Sequence, residues 1–373
     1  MPSDRSAPGR LSVMSPAEAH EAQGRLVEQL MTSFSGGDFL GGMDLGLDGG
    51  ASPSYTRRAE SAIAAFFEAE DAVLLHGSGT AAVRESLAVS IAPGGAVLMH
   101  SAGPFRTTGP TLEAMGARVV RTALEDLEAV AEAARDCDAA LLQHARHLPT
   151  DTYDIASAID ALRAANSRIR VVVDDNYAVL KVRRIGYQLG ADLSAFSTFK
   201  LLGPEGVGCV VGRAELIDRI RARNASGGGV VQGPTARAVL EGLVAAPIKL
   251  AFSEQVAIEA AERIEGIPGV SRAFVGNLEE TVIILVLEDP MAAEVIEAAR
   301  ARGAATRPVG TESRHELVPL IHQVSSFMVA AEPAAATTMV RVSPMFATAD
   351  PVVRLVEGSL ADARRARSDA ART

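Results

Sequence analysis

Three short stretches place side chains with chemistry beside apolar runs. In "AFSTFKLLGPEGVG" (195–208), Lys200 stands between an apolar run and a glycine-rich one. Of the chain's 36 Lys and Arg residues, only Lys181, Lys200 and Lys249 are lysines. Arginine stays protonated, whereas a lysine amine can be deprotonated and form a Schiff base. A lysine kept on so arginine-rich a background is therefore a candidate for covalent chemistry. In "VVVDDNYAV" (171–179), Asp174 follows three valines. A carboxylate so placed is costly to bury unless it meets a cation. In "LLHGSGTAAVRESL" (74–87), an apolar run ends at His76 and a Gly-Ser-Gly-Thr turn leads into a helical pattern. Backbone N–H groups and the helix dipole make such a turn an anion site, to which Ser78 and Thr80 add hydroxyls around Gly79. Ser197, three residues before Lys200, can offer another.

The elements that must carry these residues are legible around them. From about residue 58 to 245, helical patterns alternate with the runs "AVLLH", "GAVLMH", "ARVVR", "AALLQ", "IRVVVD", "LSAFS" and "GVGCVVG". Short apolar runs between helices imply strands buried on both faces of a mainly parallel, seven-stranded sheet. The fold class is thus α/β, with a three-layer α/β/α large domain. A helix over about 234–264 leads to a second pattern. There "TVIILVL", a helix over 290–302, "SSFMVA", "TMVRVS" and a helix from Asp350 read as a smaller C-terminal α+β domain. The expected division is 1–50 for a tail, helix and glycine-rich arm, 51–250 for the large domain and 251–373 for the small one. Residues 1 to about 15 read as a loose tail. Ser15-Pro16 starts a helix in "SPAEAHEAQGRLVEQLMTS". "SGGDFLGGMDLGLDGGASPS" (35–54) reads as loop.

Composition narrows the partners. The net charge is −10 and no basic cluster interleaves with aromatics, which argues against nucleic acid. No apolar run is long enough to span a membrane. The start "MPSDRSAPGRLSVMS" lacks an apolar signal core, so a cytoplasmic location is expected. Cys137 and Cys209 make no disulfide framework, and no Cys/His pair has metal-ligand spacing, so no metal is expected. Aromatic residues are only 4% of the chain, so the core must be built from Ala, Val, Leu and Ile. "GSGTAA" also fits a dinucleotide-binding G-x-G-x-x-A, but "GGAVLMHSAG" lacks the acid that fold expects about 20 residues on.

A phosphate turn, a strand-end Asp174 and then Lys200, in this order on parallel strands, is the layout a pyridoxal 5'-phosphate (PLP) site needs. The chain resembles fold-type-I PLP-dependent enzymes. Over roughly residues 50–350 it is similar to the Cys/Met-metabolism branch (cystathionine γ-synthase and methionine γ-lyase) and to its aluminium-resistance-like and selenocysteine-synthase-like relatives. "YTRRAESAIAAFFEAEDAVLLHGSGTAA" resembles that branch's Tyr-x-Arg segment and Ser-Gly turn. The resemblance implies that Tyr55 and Arg57 reach the cofactor phosphate of a neighbouring subunit, in a homodimer or homotetramer. Few large apolar anchors in residues 35–57 fit a segment that lies against another subunit. "VVVDDNYA" matches the family's strand and Asp, and "SAFSTFKLLGPEGVG" its Ser-x-x-Lys, with Lys200 as the Schiff-base lysine. "MVRVSP" resembles its Arg-x-Ser, which implies that Arg341 grips a substrate α-carboxylate, as a bidentate guanidinium suits.

The departures bear on the reaction. The family's Asn-Pro-Thr after Tyr-x-Arg is missing, and its Ser-Gly-Met-Ala is Ser-Gly-Thr-Ala here. Its Asn-Pro segment is replaced by "LLQHARHLPTD", which looks more like the Gln-x-x-Arg of aluminium-resistance-like proteins and offers Gln143 and Arg146. His100 and Phe105 are both candidates for the ring that stacks on the pyridine. The resemblance implies β/γ-elimination or replacement on a sulfur amino acid, with an aminotransferase as the alternative. A binding protein on an old enzyme fold and selenium transfer on a charged tRNA are the other classes weighed. The intact Asp174, Lys200 and turn argue against the first, and the acidic charge against the second.

Overall fold

The computed structural model describes residues 7, 9–35, 38–39, 41, 44, 52–277, 280–308, 311–370 and 372. They fall into two compact units. Residues 12–145 and 152–248 form the larger; the described residues up to Leu11, with 146–151 and 249–373, form the smaller. The helix Pro16–Ser33 belongs to the larger unit and residues 146–151 to the smaller.

The larger unit holds all seven expected strands: β1 (Asp71–His76), β2 (Ala96–His100), β3 (Arg118–Thr122), β4 (Ala139–Gln143), β5 (Arg170–Asp174), β6 (Leu193–Ser197) and β7 (Val207–Gly212). Their order across the sheet is β1-β7-β6-β5-β4-β2-β3, and only β7 runs against its neighbours. Residues alternate between two apolar layers. Val97, Met99, Leu141, Val172, Ala195 and Val210 pack with the helices Ser78–Ser90 and Ala214–Ser226. Ala96, Leu98, Ala140, Leu142, Val171 and Val173 pack with the helices Leu127–Ala134 and Ile155–Ala165. This is the three-layer α/β/α arrangement, and it brings the C-terminal ends of β2, β4, β5 and β6 to one edge.

The smaller unit carries β8 (Val270–Asn277), β9 (Thr281–Leu287), β10 (Leu320–Gln323) and β11 (Met339–Ser343), an antiparallel sheet of order β10-β11-β9-β8. Neither β8 nor β10 was expected. "SSFMVA" is a helix, Ser326–Ala331, because the Ser325 side chain accepts a hydrogen bond from Met328 N and caps it. The N-terminal tail is partly a correction too. Residues 1–6 and 8 lie outside the described residues, but Ala7 and Met14 are buried and Val13 bridges Val182. Ser15 does start the first helix, closing a capping box with Glu18. Most of the glycine-rich stretch 35–54 lies outside the described residues. Among the described residues no helix is long and apolar enough to cross a membrane.

Candidate active site

β5 is a run of β-branched residues buried on both faces, and it ends by placing Asp174 at the sheet edge. By the two-residue alternation Asp174 follows Val172, Ser197 follows Ala195 and Gln143 follows Leu141. All three therefore leave the sheet on the side of the helix Ser78–Ser90. Gln143 and Asp174 are direct register partners. Asp174 Oδ1 accepts hydrogen bonds from Asn176 N at 3.0 Å and from Asn176 Nδ2 at 2.6 Å. Burial pushes the Asp174 carboxyl above its ordinary pKa, against the Asn176 bonds and the Lys200 charge, which pull it down.

Between β1 and the helix Ser78–Ser90 the chain turns through two left-handed residues, Gly77 at φ 107° and Ser78 at φ 62°. Their N–H groups donate to Gly206 O at 2.7 and 2.9 Å, so these two are committed within the chain. Those of Gly79 and Thr80 follow in the first helical turn, where a helix leaves N–H groups without partners of its own. The turn is packed closely from two sides. A Cβ on Gly208 would meet Ser78 O at 2.3 Å, and one on Gly79 would meet Asn176 Oδ1 at 2.5 Å. The Ser78 and Ser197 hydroxyls share a hydrogen bond of 2.8 Å, and Ser197 N donates to Asn176 Oδ1 at 2.9 Å. Asn176 thus joins the turns after β1, β5 and β6, a role that sequence reasoning missed. Nothing local signals it, because its partners come from three separate segments.

Lys200 lies in a 3-10 turn, Phe199–Leu201, directly after β6. Its Nζ sits 3.5 Å from the centre of the Tyr177 ring, within cation–π range. Tyr177 holds a left-handed φ of 65° and was also missed. Of the other lysines, Lys181 is buried with its Nζ 6.0 Å from the same ring, and Lys249 of the smaller unit lies over Phe346. A buried pair stands next to the site: His144 Nδ1 and Asp175 Oδ1 are 2.6 Å apart, and Asp175 Oδ2 accepts from Gly186 N at 3.1 Å.

Other expected residues are placed differently. His100 leaves β2 on the side of Leu98, away from Asp174, with its ring 5.5 Å from Tyr153 and its Nδ1 accepting from Ala102 N. Phe105 is half-buried in the turn before the helix Gly109–Ala114. Thr80 is exposed. Tyr55 is buried within its own chain, donating its hydroxyl to Phe39 O and packing on Phe34. Arg57 pairs with Glu60 at 2.6 Å and with Asp71 at 3.6 Å, at the opposite end of β1 from Ser78. The expectation that this segment lacks packing within its own subunit is therefore corrected for Tyr55. Arg146 and Arg341 belong to the smaller unit, where Arg146 Nε donates to Gly9 O at 2.7 Å.

The residues of the larger unit suit PLP. The helix N-terminus and two hydroxyls suit a phosphate, and Lys200 suits an aldehyde. Asp174, raised by burial with neutral amides as its bonded donors, suits a protonated ring nitrogen.

Comparison with known proteins agrees. The profile of the Cys/Met metabolism PLP-dependent enzymes matches residues 52–283, and that of the YhfS-like C-terminal domain matches residues 258–356. The protein YhfS of Escherichia coli (strain K12) is 40% identical over 349 residues, covering 92% of this chain and 96% of its own. The solved structure of the pyridoxal-5'-phosphate dependent protein YhfS from Escherichia coli superposes with a TM-score of 0.91 at 40% identity, covering 94% of this chain and 98% of that one. Two more distant structures share the fold. A methionine gamma lyase from Micromonospora echinospora has a TM-score of 0.67 at 19% identity, with 82% and 86% covered. A cystathionine gamma synthase from Xanthomonas oryzae pv. oryzae has 0.68 at 18%, with 83% and 86% covered.

Proposed function

Since the chain belongs to the family of Cys/Met metabolism PLP-dependent enzymes, we propose that it eliminates or replaces a β or γ substituent of a sulfur-bearing amino acid. The observation that carries the reading is the convergence of Asp174 and Ser197 through Asn176, with Ser78 bonded to Ser197 and Lys200 one turn after β6. The structural relatives, a methionine gamma lyase and a cystathionine gamma synthase, support the same class.

PLP, when bound, supplies the electron sink that makes an α-proton removable. The chain's own residues supply the rest. Ser78, Ser197 and the N–H groups of Gly79 and Thr80 hold the phosphate. The Asp174 carboxylate keeps the ring nitrogen protonated. Lys200 Nζ would hold the cofactor and, as a free amine, would take the substrate α-proton. Gln143, the last residue of β4, and Phe105, in the turn after β2, are proposed as flanking contacts. Arg341 is proposed to hold the substrate carboxylate, with Arg146 as a second cation. Tyr55 and Arg57 are left out because their own chain engages them. A homodimer or homotetramer in the cytoplasm is proposed as the working form.

The test offers sulfur amino acids singly to the cofactor-loaded protein. Release of ammonia and a 2-oxo acid without any added oxo acid is expected. An aminotransferase would stop after one turnover until a 2-oxo acid acceptor was supplied, and that result would replace the proposal.

A further inference from the structure

One face of the smaller unit's sheet is apolar, and the other mixes an apolar cluster that includes Val282, Ile284 and Phe274 with buried polar groups. Ile283, Leu285, Ile321, Val340 and Val342 pack into the apolar cluster with Val295, Val352 and Val356 of the helices. The alternate residues of the same strands include His322, Arg341 and Ser343, with Glu280 immediately before β9. All four are buried, at 1–6% exposure. Removing an ion from water costs several kcal/mol, and well-packed apolar residues would often serve stability as well. Buried charge of this kind on one face calls for a purpose other than stability.

Antiparallel register sets His322 directly opposite Arg341. His322 Nε2 lies 3.1 Å from Glu280 Oε1, and its Nδ1 lies 3.5 Å from Arg341 Nη2. A guanidinium has no acceptor, so when the ring is neutral this contact favours Nδ1 as acceptor with the ring hydrogen on Nε2, toward Glu280. Arg341 Nε donates to Gln323 O at 3.1 Å, and its Nη1 is 3.9 Å from Glu280. Burial alone would raise the Glu280 pKa, but His322, Arg341 and Thr311 overcome it and hold it at about 2, so the anchor is ionised. A second tier steadies this corner: Thr281 N donates to Glu312, Thr281 Oγ1 donates to Glu254, and Glu254 pairs with Arg10 at 2.6 Å. Two residues along β11 on the same face, the Ser343 hydroxyl is buried at 2% exposure with no hydrogen-bond partner among the described residues. Buried hydroxyls are almost always paired, so this one points to a group supplied from outside.

We infer that Glu280 and His322 are positioning residues that aim the Arg341 guanidinium at a ligand carboxylate, with the Ser343 hydroxyl as the second contact of that subsite. The inference rests on the carboxylate role proposed for Arg341. It is tested on the cofactor-loaded full chain by calorimetric titration. The probes are L-methionine and L-cysteine, each against its carboxylate-free counterpart, 3-(methylthio)propylamine and cysteamine. The wild type should prefer the amino acids, and Arg341→Lys should abolish that preference. Glu280→Gln and His322→Gln should each reduce it about tenfold, as loss of one well-aimed bond to a charged group would. Amine binding and cofactor absorbance should stay unchanged. In the Arg341→Lys background Glu280→Gln should add nothing further. If Arg341→Lys keeps the preference, or the wild type shows none, the Arg341 reading fails and takes the inference with it. If Arg341→Lys abolishes the preference but Glu280→Gln and His322→Gln do not reduce it, or weaken amine and amino acid alike, the positioning role alone is overturned. If neither of these two variants folds, the pair serves stability and the inference is wrong.

Discussion

Glu60 and Asp174 are both buried acids of the larger unit, and burial raises the pKa of each, yet their surroundings differ. Glu60 serves an edge strand. Its Oε1 accepts from Leu74 N of β1 at 2.9 Å, and its Oε2 meets Arg57 at 2.6 Å and Arg221 at 3.7 Å. Arg221 in turn donates to Ala72 O, and Asn224 donates to Leu74 O. Side chains thus satisfy the outer backbone groups of Ala72 and Leu74, on a strand edge that backbone meets only near His76, which donates to Gly229 O. Asp174 has Asn176 N and Nδ2 as its bonded donors, both neutral, and the Lys200 charge also pulls its pKa down. One acid has its cations built in, and the other is arranged to receive one. The same burial penalty therefore has two meanings, and it is the partner set that tells them apart.

The sharpest way to break this contrast is to remove the group that should bind the cofactor covalently. Lys200→Ala should lose the borohydride-reducible lysine linkage and at least about a thousandfold in activity, with Tm little changed. Mass spectrometry after reduction checks it, and a surviving linkage would assign the role to another lysine. Lys249→Arg should keep both linkage and activity. Next in size, Asp174→Asn should lower kcat about a hundredfold or more, because the group that holds the ring nitrogen protonated is gone. Near-normal turnover would remove Asp174 from the chemistry. Glu60→Ala should act on the other side of the comparison. It leaves Leu74 N unpaired and two arginines short of an acceptor, so stability should fall by about 3 kcal/mol with or without cofactor. Denaturant melts check the loss. A weakened PLP affinity in that variant would blur the distinction between the two acids.

Much of this arrangement was legible because parallel strands buried on both faces read as unbroken apolar runs. All seven strands of the large sheet stood out, and so did the strand-end positions of Asp174 and Ser197. β10 did not, because four residues, Leu320–Gln323, carry no period. β8 did not, because Arg272 and Gly276 interrupt it and its pairing with β9 shifts register between Val270 and Arg272. His100 looked equivalent to the other strand-end residues, and only the observed pairing shows that it belongs to the opposite face. Asn176 and Tyr177 lay in plain view beside Asp174. Their value depends on Ser197, Gly79 and Lys200, which arrive from 20 or more residues away and leave no local pattern. Arg57 had the right neighbours in sequence, but Glu60, one helical turn on, claims it first.

The smallest effect is also the most specific test of the idea that Asp174 awaits a cation. A carboxyl whose folded-state pKa lies above its unfolded value holds its proton more tightly in the fold. Its burial is cheap while it is neutral. The cost appears as pH rises through the unfolded aspartate value, about 4, and is complete once pH has passed the higher folded value. In cofactor-free protein, Asp174→Asn removes that cost and keeps an oxygen to accept from Asn176. The variant should therefore match the wild type at low pH and melt higher at neutral pH, by about 2–4 °C for each kcal/mol regained. With PLP bound the order should reverse, because the wild-type carboxylate then has its cation and the amide does not. Parallel melts of both proteins from pH 4 to pH 8, with and without PLP, read all four cases. A variant that melts lower than the wild type in the cofactor-free state at neutral pH would mean that Asp174, like Glu60, already has the partners it needs.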